Sequence, residues 1–140
     1  MILYQTSKFE EASIDQIEEL VANRKRAGYS FVQLCATTKE NSCELLYTFE
    51  DPERSEDEPG MDNVVIDVPD GAAVPSITKW YPAAFVFENE AHDLFGIDIQ
   101  GINIDFNGEF YTVAVAYPMN PRAAQAAGSQ PAEGEEVDNG

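Results

Sequence analysis

The 140-residue sequence predicts an α+β fold: a single domain with a largely antiparallel sheet, two main helices and a disordered acidic C-terminal tail. Three observations carry that expectation. Two segments place apolar residues at helical spacing between recognisable start and stop signals. The β-rich runs between and after them are joined by short turns, which favours antiparallel neighbours with helices on one face. Beyond Pro121 the composition shifts abruptly to Ala, Gly, Ser, Gln and Glu. A chain of this length suits one hydrophobic core, and 44% hydrophobic with 11% aromatic residues suits a folded globule. The domain is expected to span residues 1–121 and the tail residues 122–140.

A short strand is expected over residues 3–8. The first helix then starts at Ser13, a capping residue with Gln16 three positions on to reach back to it. Ile14, Ile17, Leu20 and Val21 form its apolar stripe. Asp15, Glu18 and Glu19 lie early and Arg24, Lys25 and Arg26 late, as the helix dipole prefers. Gly28 supplies the stop. Residues 29–37 and 43–49 read as a hairpin around Lys39-Glu40-Asn41-Ser42. Residues 50–62, rich in acid with Pro52, Pro59 and Gly60, read as an exposed loop. A buried strand follows over residues 63–68, ended by Pro69-Asp70-Gly71. The second helix runs from Pro82, suited to a first helical position, to Phe95, with Gly96 just past its end. Its apolar stripe is Ala84, Phe87, Ala91 and Leu94. Strands over residues 102–106 and 110–116 flank Asn107-Gly108, a two-residue hairpin signal.

A formal net charge of −18 excludes whole classes of partner. Nucleic-acid affinity requires Lys and Arg to displace counterions, and eight such residues face twenty-six acids. An anionic membrane surface repels the chain for the same reason. No apolar run approaches the roughly 20 residues of a membrane helix, and the first residues lack the basic and apolar regions of a signal peptide. The expectation is a cytoplasmic protein that reaches a membrane only through partner subunits. Cys35 and Cys43 do not form a CxxC pair, and a lone His completes no metal set. Both read as buried free thiols. An iron–sulfur cluster needs about four thiolates, so this chain holds none by itself.

The chemistry-bearing side chains concentrate between Trp80 and Ile97. Glu88 and His92, four apart, share a helix face and suit a carboxylate supporting a neutral His. Glu90 and Asp93 lie on another face, where acid–base work would require burial that a sequence does not display. No GxSxG, GxGxxG or GxxxxGK[ST] pattern occurs, so an enzyme acting alone is not expected. Binding is better supported. Trp80, Tyr81, Phe85, Phe87 and Phe95 are too many aromatics for one helix face to hide, and contiguous exposed apolar surface marks interfaces. An intramolecular core around this helix is the competing explanation.

Pro75-Ser76-Ile77-Thr78, Tyr81-Pro82-Ala83-Ala84 and Glu88-x-Glu90-x-x-Asp93-Leu94-Phe95-Gly96-Ile97 resemble the 30 kDa family of complex I, the NADH:quinone oxidoreductase. They look still more like the small stand-alone relatives in Ech-type, group 4 energy-converting nickel–iron hydrogenases. The resemblance covers residues 62–105. Two departures stand out: Asn89 occupies a place where the family usually has Arg, and residues 100–106 lack the His-Pro and basic residues of respiratory members. Both turn the comparison toward the hydrogenase branch. The resemblance implies a peripheral subunit without a redox centre of its own, packed against a hydrogenase-like catalytic large subunit and an iron–sulfur small subunit. The nickel–iron centre and the iron–sulfur clusters would sit in those partners. Antiporter-like membrane subunits would be reached indirectly, in an assembly coupling electron transfer between ferredoxin and protons to ion translocation. On that basis Trp80, Tyr81, Phe85 and Phe95 are expected as aromatic docking anchors, and Glu88, Glu90 and Asp93 as contacts to partner Arg or Lys. The competing readings are the equivalent subunit of a quinone-, formate- or CO-linked complex I-like enzyme and, from another class, a free-standing acidic assembly or regulatory protein.

Overall fold

Alternation along the strands decides where the core lies. The computed structural model describes residues 7–53, 61–103 and 117–128. In it β1 (Ser7–Ala12) leads to α1 (Ile17–Arg26), then to β2 (Ser30–Thr38), β3 (Ser42–Glu50), β4 (Met61–Pro69) and β5 (Ala73–Pro75). After these come α2 (Phe85–Phe95), β6 (Asp98–Gln100) and α3 (Pro121–Gly128). Cys43, Leu45, Tyr47 and Phe49 of β3 point inward beside Val64, Ile66 and Val68 of β4. The register pairs Leu45 with Ile66 and Tyr47 with Val64, so apolar side chains stack directly opposite one another. Ile17 and Val21 of α1 and Ala84 and Ala91 beside and within α2 join the same cluster, which places both helices over one face.

The main sheet has the order β1-β4-β3-β2. β2–β3 and β3–β4 are antiparallel as expected, while β1 pairs β4 in parallel, making the sheet mixed. β5 and β6 form a separate parallel pair. The β2–β3 hairpin closes with the Lys39 N–H donating to the Ser42 carbonyl at 2.8 Å, and a register shift between Phe31 and Gln33 interrupts the ladder of β2, the last strand on its side among the described residues. α1 begins with a 3₁₀ turn over Ile14–Gln16, where Gln16 Oε1 accepts the Ser13 N–H at 2.9 Å. Gly28, at φ +87°, ends it in the left-handed region that glycine tolerates. Arg24 then ties α1 to the sheet, donating to Asp62 Oδ2 at 2.9 Å and Glu10 Oε1 at 3.0 Å while lying over the Phe49 ring.

Several expectations change. The first strand runs on to Ala12, past its expected end at Lys8, because the free edge of β4 pairs residues 61–66 with residues 7–12, while residues 3–6 lie outside the described residues. Residues 122–128, expected to be disordered, form most of α3. Its Ala-rich composition favours helix, Pro121 stands at its start, and Arg122 clamps it down. Arg122 makes a bidentate pair with Asp70 at 2.7 and 3.0 Å and donates to the carbonyls of Lys39, Glu40 and Ser42. Of the two thiols, both free, Cys43 is buried and Cys35 is exposed. Cys35 follows inward-facing Leu34 on β2, so the two-residue period turns it outward. The hairpin expected around Asn107-Gly108 and the rest of the tail lie outside the described residues.

Phe49 is fully buried, with ring centroids of Phe31 and Tyr81 at 5.8 and 5.6 Å. Phe49→Ala is expected to cost about 3–5 kcal/mol of folding stability, read by urea denaturation. Glu18→Ala, on the exposed side of α1, should stay within about 0.5 kcal/mol.

Candidate functional site

α2 buries polar side chains where its sequence stripe suggested apolar ones. Ala84 and Ala91 are buried as expected, but Phe87 and Leu94 are half-exposed. Glu88, Asn89 and Asp93 are 0%, 1% and 3% exposed. Ala84, Glu88 and Ala91 lie on one helical face by the four-then-three spacing, so whatever covers the two alanines also covers the carboxylate.

Glu88 is accommodated by the segment between β5 and α2. Its Oε1 accepts the Ser76 hydroxyl at 2.6 Å and its Oε2 accepts the Ile77 N–H at 2.7 Å. Ser76 Oγ lies 2.7 Å from Thr78 Oγ1 and accepts the Thr78 N–H at 3.0 Å. Thr78 Oγ1 accepts the Asn103 N–H at 3.0 Å. Burial pushes the Glu88 carboxyl up to about 7, against the opposing pull of the Ser76 and Ile77 hydrogen bonds. The expected pairing of Glu88 with His92 does not form. His92 Nδ1 lies 2.9 Å from Asp93 Oδ1 instead, because Glu88 faces Ser76 across the core while His92 stands at the partly exposed rim.

The aromatic residues divide between inside and outside. Tyr81 is buried, its hydroxyl donating to the Tyr29 carbonyl at 2.8 Å and its ring packing on Phe31 and Phe49. Phe87 meets Phe31 edge-on at 5.7 Å. Trp80, Phe85, Glu90 and Phe95 are half-exposed, and Val86 is exposed at 37%. Of the residues expected to dock a partner, Tyr81, Glu88 and Asp93 are therefore interior to this chain. Trp80, Phe85, Glu90 and Phe95 retain surface.

The C-terminal end of α2 is closed by a distant segment. Gly96, at φ +71°, ends the helix, and its N–H donates to the His92 carbonyl at 2.9 Å. The last carbonyls, which no helix can satisfy internally, are taken from outside. Met119 N–H donates to Leu94 O at 2.7 Å, and buried Asn120 donates its amide to Phe95 O at 2.8 Å. Asn120 also reaches Cys43 Sγ at 3.3 Å. Between α3 and the ends of β3, β4 and β6 lies a cavity of about 220 Å³. Among the described residues no three His, Cys, Asp or Glu side chains gather as a metal site, and no helix is long and apolar enough to cross a membrane.

Sequence reasoning found α2 and its ends but missed Ser76, Thr78, Asn120 and Arg122 as structural partners. A pair of hydroxyl residues flanking an apolar one just before a helix that carries a carboxylate is the signal that would have pointed to the first two.

A Cβ at Gly96 would stand 2.9 Å from Ala123 Cβ and 3.1 Å from the Tyr117 ring, on a backbone at positive φ. Gly96→Ala is accordingly expected to cost about 1–3 kcal/mol. Limited proteolysis should show loosening that begins at residues 117–128.

Comparison with known proteins agrees with this fold. A chain in the solved structure of the membrane-bound sulfane sulfur reductase, an archaeal respiratory membrane complex, superposes with a TM-score of 0.68 at 18% identity. The alignment covers 96% of this chain and 84% of that one, a likeness of fold. No curated protein matches. Residues 8–105, well over half the chain and including β1 through α2 with the Glu88–Ile97 motif, match the family of the respiratory-chain NADH dehydrogenase 30 kDa subunit, and the chain belongs to that family.

Proposed function

We propose that this chain is a peripheral subunit, without a cofactor of its own, of a membrane-bound energy-converting nickel–iron hydrogenase complex. It braces the catalytic large subunit, which carries the nickel–iron centre, beside an iron–sulfur small subunit. Antiporter-like membrane subunits complete the assembly, which couples electron transfer between ferredoxin and protons to ion translocation. The chain is held on the cytoplasmic side of the membrane through those partners.

The observation that carries this reading, beyond family membership, is the apolar surface left around α2 and on the turn before it, where Trp80 and Phe95 also pack against the core. Trp80, Phe85 and Phe95 keep part of their surface, and Val86 is exposed on the same helix. Large apolar side chains held on a rigid element are the residue types that dominate interface energetics. Glu90, four residues on from Val86 and half-exposed on the same side of the helix, supplies a charge for a partner Arg or Lys, fixing orientation more than affinity. The interior residues of the motif, Glu88 and Asp93, serve the interface by holding α2 in place.

A second reading puts the same subunit in a complex I-like enzyme of another reaction. The structural relative comes from a respiratory membrane complex that is named as a sulfane sulfur reductase. At 18% identity that likeness speaks to the fold and leaves the reaction open.

Mass spectrometry of what co-purifies with a tagged copy from mildly solubilised native membranes tests the proposal. A nickel–iron large subunit and an iron–sulfur small subunit are expected. A large subunit of another enzyme moves the assignment to the second reading, and a tagged chain recovered alone defeats both. Val86→Asp should change the stability of the isolated chain by no more than about 0.5 kcal/mol yet lower partner recovery roughly ten-fold or more.

A further inference from the structure

A carboxyl group with no surface sits in the core, and among the described residues the groups that face it carry no positive charge. They are the Ser76 hydroxyl and the Ile77 N–H from the segment after β5, and the Tyr47 hydroxyl from β3. On its own helix the nearest titratable side chains, His92 and Asp93, are engaged with each other. Tyr47 is fully buried, and its Oη has no hydrogen-bond partner among the described residues. A buried anion without a cation leaves its charge to be offset by hydrogen bonds or by a proton.

We propose that Glu88 is a buried proton-binding site, loaded and unloaded through a reversible hydroxyl relay formed by Ser76 and Thr78. The relay works in either direction with the heavy atoms of Glu88, Ser76 and Thr78 unmoved. With Glu88 ionised, the Thr78 hydroxyl donates to Ser76 Oγ and the Ser76 hydroxyl donates to Glu88 Oε1. The outer end is Thr78 Oγ1, held by the N–H of surface-exposed Asn103. When that end opens to water, a hydronium gives its proton to Thr78 Oγ1. Thr78 passes its own hydrogen to Ser76, and Ser76 passes its own to Glu88. One O–H bond breaks and one forms at each hydroxyl, the hydronium becomes water, and each bond in the chain reverses its sense. Ser76 Oγ then accepts from Glu88 and from the Thr78 N–H while donating to Thr78 Oγ1, and the new Thr78 hydrogen is accepted by the water that delivered the proton.

Tyr47 settles where the proton resides. Burial and the neighbouring Glu88 push its hydroxyl far above the ordinary range, so it stays protonated throughout. The raised Glu88 value of about 7, against an ordinary 4.5, agrees with occupancy near neutrality. The sign follows from linkage. The folded state holds this proton more tightly than the unfolded one, so the associated stability is fully present below about 4.5 and is lost as pH rises through about 7. The proposal concerns this chain alone, whichever assembly it enters.

Amide NMR of the purified full chain between about pH 3 and 10 tests it, read at Ile77, whose N–H is bonded to Glu88. The wild-type curve should inflect near 7, and Glu88→Gln should abolish the inflection. Ser76→Ala removes a hydrogen bond that favours the charged form and should move the midpoint up by about one to two pH units. The Ser76→Ala shift tests the Glu88 titration even if Glu88→Gln fails to fold. Thr78→Val, which keeps the Ser76–Glu88 bond but interrupts the relay, should slow proton exchange at Glu88, read as broadening of the Ile77 signal near the midpoint. Unchanged exchange overturns the relay. An inflection at the ordinary carboxylate value, an unchanged curve in Glu88→Gln, or no shift in Ser76→Ala overturns the assignment.

Discussion

A carboxylate in the core must be satisfied where it stands, and in this protein that requirement organises the fold around α2. Glu88 has no exposed surface, and both of its oxygens are bonded to the segment between β5 and α2. A helix whose buried face carried only Ala84 and Ala91 could slide or rotate against the sheet at small cost. The hydrogen bonds to Ser76 and Ile77 remove that freedom, because any displacement would leave a buried carboxyl group, charged or neutral, without its partners, a loss of about 1–3 kcal/mol. The same bonds fix the turn that carries Trp80 and Tyr81. Tyr81 then locks inward on Phe31 and Phe49 while Trp80 keeps part of its surface. Interior and outward roles within one short motif thus follow from a single anchored side chain.

The other end of α2 is held by a different device. The helix leaves carbonyls at Leu94 and Phe95 that its own chain direction cannot satisfy, and Met119 and Asn120 supply the donors. Arg122 fastens that segment to the β2–β3 turn and to Asp70 at the end of β4. The Arg122 guanidinium holds the Asp70 carboxyl below its usual range. Gly96 is where these constraints meet, since it supplies both the left-handed residue and the close approach of Ala123. With both ends pinned, the outward face of α2 is a rigid surface. That is the condition under which a modest apolar patch gains affinity without ordering cost.

How much of this is legible in the sequence depends on whether the signal is local. The β2–β3 hairpin, β4, α1 and α2 are readable to within a few residues, because alternation, capping and glycine stops lie within each element. β1 runs past its expected end because the strand character of residues 9–12 comes from the free edge of β4, a partner more than fifty positions away. α3 reads as a solvated tail, since nothing within it announces that Arg122 finds Asp70 and three carbonyls. Glu88 falls on the expected helix but meets a different neighbour. Helical spacing offers His92, and only the folded chain brings Ser76, twelve residues distant, into contact. The motif residues are therefore visible in the sequence, while their division between interior support and outward surface requires the structure.

The family to which the chain belongs, with the outward face left on α2, makes docking through that face the central claim. The most direct measurement is site-specific photo-crosslinking in native membranes, with the crosslinker placed at Val86 and, as a control, at Glu18 on the exposed side of α1. Docking through α2 predicts that Val86 yields one dominant adduct with a catalytic large subunit while Glu18 yields none. An adduct from Glu18 with none from Val86, or no adduct from either, would contradict the assignment of α2 as the docking face.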